Sequence, residues 1–71
     1  MPSESVEVMV NGQARAIPEG QSVAALLGFL KVTADRVAVE LNRSIVRKRD
    51  WETTRVGAGA NIEIVEFVGG G

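Results

Sequence analysis

Apolar residues recur with two different spacings along this chain of 71 residues. Val6, Val8 and Val10 alternate with Glu7 and Met9, a period of two that predicts a strand with one buried face. Asn11-Gly12 follows directly. Both central residues of a type I′ turn need positive φ, which Asn and Gly tolerate best, so a hairpin is expected with Gln13 to Ile17 returning. The returning strand is weakly patterned, because Ala14 and Ala16 compete with Ile17 for the inner face. Pro18-Glu19-Gly20 then breaks the sheet. Val23, Leu26, Leu27 and Leu30 fall at i, i+3, i+4 and i+7, one stripe of a helix. Ser22 is placed to cap that helix, which should end near Lys31. Gly28 inside it costs about 1 kcal/mol relative to Ala, so the helix depends on packing against the sheet.

The period returns to two further on. Val37, Val39 and Leu41 alternate with Ala38 and Glu40, predicting a third strand. Asn42-Arg43-Ser44 is a turn and Ile45-Val46 a short strand after it. Arg47 to Glu52 is charged, reads as a helical turn or irregular segment, and carries Trp51, whose ring should cover one end of the core. Gly57-Ala58-Gly59 leads into a last strand, where Ile62 and Ile64 alternate with Glu63. That strand runs on through Val65-Glu66-Phe67-Val68 into Gly69-Gly70-Gly71. Met1 to Ser5 is a loose lead-in.

These elements predict an α+β domain, one helix packed across one face of a small mixed sheet. The expected core takes Val23, Leu26, Leu27 and Leu30 from the helix. The strands add Val6, Val8, Val10, Val37, Val39, Leu41, Ile62 and Ile64. Residues 1–71 form one domain, with 69–71 a flexible glycine tail; no internal repeat or linker interrupts it.

Composition narrows the chemistry. The chain has no cysteine and no histidine, so disulfides, thiol nucleophiles, the usual zinc sites and Ser-His pairs are not expected. A net charge of −1 argues against a dedicated nucleic-acid binder. No apolar run is long enough to cross a bilayer and no signal-peptide pattern is present, so a cytoplasmic, monomeric domain is expected, bound to no metal or membrane. The basic group Arg43, Arg47, Lys48 and Arg49 reads more readily as a solvated sheet edge than as an RNA or acidic-partner surface. Gly57 and Gly59 lack the following helix and Lys-Ser/Thr of a phosphate loop.

Three stretches carry a resemblance. They are Val10-Asn11-Gly12, then Val39-Glu40-Leu41-Asn42 leading through Ile45-Val46 and a basic residue to Trp51, and above all the run from Ile62 to Gly71. Together they resemble the ThiS family of sulfur carriers in thiamin (thiazole) biosynthesis, which has the ubiquitin-like β-grasp fold. The resemblance covers nearly the whole chain from Val6. One departure is Gly59-Ala60, where the family often has Gly-Asp before the last strand.

The resemblance implies a role for the terminus. A carboxylate is anionic at neutral pH and resists nucleophiles. A ThiF-like adenylating enzyme using ATP would convert the Gly71 carboxylate to an acyl-adenylate, and sulfur from a donor would displace AMP. A ThiG-like thiazole synthase would then take sulfur from the resulting thiocarboxylate. ATP and the sulfur donor would serve the partners, and this chain would be a cosubstrate with no catalytic residues. Gly69 and Gly70 suit a tether, because residues without Cβ thread narrow channels. Val65 and Phe67 fall on the face opposite Ile62 and Ile64, and with Val68 would form an exposed apolar patch for partner binding. The alternative is that Phe67 folds over the sheet edge to close the core.

Other readings stay open from the residues. Related β-grasp carriers serve molybdopterin, tRNA thiolation or cysteine synthesis. A ubiquitin-like protein modifier would join the same activated Gly71 to lysines. A pure binding module would function without Gly70 and Gly71.

Overall fold

The computed structural model describes residues 4–67. The expectations for Val68, Gly69, Gly70 and Gly71, and for Met1 to Ser3, lie outside the described residues. β1 spans Ser5–Val10, β2 Gln13–Pro18, α1 Val23–Phe29, β3 Val37–Leu41, β4 Ser44–Val46 and β5 Asn61–Glu66. Single 3₁₀ turns cover Ala34–Arg36 and Lys48–Asp50. The five strands form one mixed sheet in the order β2-β1-β5-β3-β4. β1 and β5 are parallel, and the other pairs are antiparallel. The last strand therefore lies at the centre of the sheet, between the first strand and the third.

Both hairpins close as tight two-residue turns. Val10 pairs with Gln13 across Asn11 (φ 50) and Gly12 (φ 82). Leu41 pairs with Ser44 across Asn42 (φ 51) and Arg43 (φ 73). Positive φ at both central residues is the type I′ signature, whose twist matches that of the flanking strands. The first turn was legible as Asn-Gly. The second has the same geometry with an arginine where glycine fits best.

α1 is shorter than its apolar stripe. Its first-turn amides are all engaged. Val23 N–H donates to the Thr54 carbonyl and Ala24 N–H to that of Trp51, at 2.9 and 3.0 Å. Ala25 N–H donates to Ser22 Oγ at 3.1 Å, the expected cap. The helix ends at Phe29, with Leu30 as C-cap and Lys31 at φ 61, so it stops close to Lys31 as expected. Val32 N–H reaches back to the Leu27 carbonyl and Lys31 N–H to that of Gly28, a Schellman closure. Gly28 is an exposed interior residue whose carbonyl accepts in the closure, while the left-handed position itself is held by Lys31.

The core lies between α1 and one face of the sheet. It holds Val8, Val10, Ile17, Val23, Leu26, Leu27, Val37, Val39, Trp51, Val56, Ala60 and Ile62. Register settles the β2 ambiguity: Ile17 pairs with Val6 on the inner face, whereas Ala14 and Ala16 point outward and are exposed. Leu30, Val6, Leu41 and Ile64 are only partly buried. Val56 and Ala60 join the core although both sit in an irregular stretch where no period marks them. Burial of Ala60 explains why the small apolar residue is accommodated after Gly59. Trp51 closes the end of the core, as expected, with its Nε1 donating to the Val46 carbonyl at 2.9 Å. Among the described residues no helix is long and apolar enough to cross a membrane.

Candidate functional site

β5 carries the chain toward its glycines, and its two faces differ. Ile62 is buried and Ile64 half-buried against the core. Glu63 and Val65 point to the face that no helix covers. Val65 is 56% exposed and Phe67 55%. Phe67 is not among the side chains that form the core or pack against it.

The register assembles neighbours for Val65 that its position in sequence does not show. Val65 pairs with Ala38. Glu63 pairs with Glu40, and Glu40 pairs in turn with Ile45 of β4. Ile45 is 69% exposed on this same face. Met9, on the outer side of β1, is also exposed. The open face thus presents apolar side chains beside carboxylates along the length of β5, from Met9 beside Asn61 to Val65 near the strand's end. Ile45 and Met9 were not anticipated as part of it. Their signal was the alternation itself: each sits between residues of the inner face.

The other candidates separate from this region. Arg43, Arg47, Lys48 and Arg49 are exposed and lie at or just beyond β4, an edge strand, where charge discourages pairing with another sheet. Trp51 belongs to the core. On the helix side, a groove of about 270 Å³ opens past the end of α1. Val10, Arg15, Leu30, Val32, Ile64 and Glu66 are among its lining residues.

β5 is gripped at its first residue and again partway along by side chains from the hairpin turns. Asn42 Oδ1 accepts from the Asn61 N–H at 2.9 Å, and Asn42 N–H donates to the Asn61 carbonyl at 2.8 Å. Asn11 Oδ1 accepts from the Ile64 N–H at 2.7 Å, and Asn11 N–H donates to the Ile62 carbonyl at 2.8 Å. Phe67 N–H donates to the Arg36 carbonyl at 2.7 Å, one rung beyond the paired strand. Both asparagines were read from sequence as turn residues only. A carboxamide that reaches across to another strand leaves no mark in local pattern.

Comparison with known proteins agrees with this architecture. A model of the ThiS family matches residues 8–71. A crystal structure of the thiamine biosynthesis protein ThiS from Geobacter metallireducens superposes with a TM-score of 0.83 at 35% identity, over 93% of this chain and 100% of that one. A solution structure of a thiamine biosynthesis protein from the same organism gives 0.77 at 33% identity, over 93% of this chain and 88% of that one. Among curated proteins, a thiazole synthase of Paramagnetospirillum magneticum is 41% identical over 66 residues, 93% of this chain. The chain spans only 20% of that relative's length. The ycf40 protein of Porphyra purpurea is 28% identical over 71 residues, the whole of both chains. With the family matched over nearly its entire length and the five-stranded β-grasp sheet in place, the chain belongs to the ThiS family.

Proposed function

We propose that this protein is the sulfur carrier for the thiazole of thiamin, acting as a protein cosubstrate. The observation that carries the reading is the ThiS family match running through Gly71, on a fold whose central strand leads toward that residue. The Gly71 carboxylate attacks the α-phosphorus of ATP in a ThiF-like adenylating enzyme, releasing pyrophosphate and forming an acyl-adenylate. A sulfur nucleophile then displaces AMP, leaving a thiocarboxylate. A ThiG-like thiazole synthase takes sulfur from it. Gly69 and Gly70 span up to about 7 Å when extended, at ~3.3–3.6 Å each, enough to carry Gly71 away from a docked surface.

The exposed Val65 and Phe67 favour docking on the open face of the sheet, continued by Val68. Ordering a tail costs about 1–2 kcal/mol per residue, so contacts made by the globular body must offset it. A partner role for thiazole synthase is favoured by the Paramagnetospirillum relative, in which a segment like this whole chain is part of a protein of that name. Joining two binding partners in one chain raises their effective concentration.

Intact mass spectrometry tests the proposal. After incubation with the adenylating enzyme, ATP and a sulfur donor, the C-terminal peptide should show one oxygen replaced by sulfur. An unchanged mass with an enzyme active on its own carrier refutes the reading. A thiazole requirement on gene deletion separates this pathway from the molybdopterin, tRNA and cysteine branches, and absence of higher-mass lysine conjugates separates it from a protein modifier.

A further inference from the structure

β5 loses one of its neighbours partway along. Its parallel pairing with β1 ends at Val10–Ile62. At Asn11 the backbone turns away into the hairpin with φ 50. From there the side chain takes over: Asn11 Oδ1 accepts from the Ile64 N–H at 2.7 Å, across a sequence separation of 53. On the other side β5 stays paired with β3 as far as Val37–Glu66, and the Phe67 N–H reaches the Arg36 carbonyl. The stretch that leads to the tail is therefore held on one side by main chain and on the other by a single carboxamide.

Turn chemistry does not require that carboxamide. Glycine satisfies positive φ at the first position of a type I′ turn as well as asparagine does. Only Asn or Asp supplies an acceptor that reaches Ile64. We propose that Asn11 is a positioning residue for delivery of Gly71, a role that rests on the carrier reading. Its carboxamide fixes the direction in which β5 leaves the fold, so that a body docked through Val65 and Phe67 presents its terminus in line with the adenylating site. Reaction geometry is steep in position, and a displacement of about 1 Å costs on the order of 100-fold in rate.

Two substitutions separate positioning from folding. Asn11→Gly keeps the turn and deletes the acceptor, and Asn11→Asp keeps both. In N11G the Ile64 amide should exchange with solvent about tenfold faster by NMR, the loss of one hydrogen bond, while the rest of the sheet stays protected. Thiocarboxylate formation with the adenylating enzyme, ATP and a sulfur donor should show kcat lowered about tenfold and KM within about twofold, since the docking residues are untouched. N11D should restore most of kcat. Wild-type protein that gains no sulfur overturns the carrier reading and this inference together. Wild-type protein that gains sulfur while N11G does so at the same kcat overturns this inference alone. So does an N11D variant as slow as N11G.

Discussion

Trp51 Nε1 donates to the Val46 carbonyl at 2.9 Å, and the Trp51 carbonyl accepts from the Ala24 N–H at 3.0 Å. One residue thus ties the short edge strand β4 to the first turn of α1. Trp51 is only 5% exposed, so it also fills the end of the core. Trp51→Phe keeps most of the ring and leaves the Val46 carbonyl without this donor. It should destabilise the domain by about 1–3 kcal/mol, read from the urea midpoint at unchanged slope. Trp51→Ala adds a cavity and should cost about 3–5 kcal/mol, enough to unfold a domain of this size.

Arg43 occupies the second central position of the β3–β4 turn at φ 73. A left-handed backbone costs a residue with Cβ roughly 1–2 kcal/mol, a cost glycine avoids. Arg43→Gly should stabilise the fold by about 1 kcal/mol, less the added entropy of its unfolded chain. Asn42→Ala should do the reverse, because the Asn61 N–H loses its acceptor and alanine tolerates φ 51 poorly. Thermal melts of the two variants should move in opposite directions.

Gly28 lies in the interior of α1, exposed, with nothing within 4 Å of where a Cβ would stand. Gly28→Ala should therefore gain close to the full propensity difference of about 0.8–1 kcal/mol. Lys31, at φ 61, closes the helix in the position where glycine is usual. Lys31→Gly should add a similar increment. The two sites are close enough to share the Lys31 N–H to Gly28 carbonyl bond, so their sum is best measured in the double variant.

Val65 and Phe67 are more than half exposed, so Val65→Asp and Phe67→Asp should change unfolding free energy by no more than about 0.5 kcal/mol. Affinity for the adenylating enzyme should fall about tenfold or more in calorimetric titrations, because a carboxylate would be buried against an apolar partner surface. Ile45→Asp, on the same face across Glu40, should weaken the same complex. Unchanged affinity in all three variants would place the docking surface elsewhere.

The strands, both turns and the helix were legible because local physics dictates them. Alternation in Val6 to Val10, Val37 to Leu41 and Ile62 to Ile64 writes the inner face directly into the order of residues. Asn11-Gly12 writes the turn, and Ser22 the cap. The end of the helix was less plain, because Lys31 holds a conformation that only the Schellman bonds to Leu27 and Gly28 make worthwhile. Val56 and Ala60 are buried without any period to announce it, since their neighbours come from other segments.

The sequence by itself determined the fold class, the inner faces of β1, β3 and β5, and a run of glycines beyond an alternating strand. Those depend on neighbours a few residues apart. The tertiary structure decided the rest: that β5 runs between β1 and β3, that Ile45 stands on the same open face as Val65, and that Asn11 and Asn42 hold β5 through their side chains. Each of these joins residues far apart in the chain. Pairing register and the reach of a carboxamide arise only when the strands assemble.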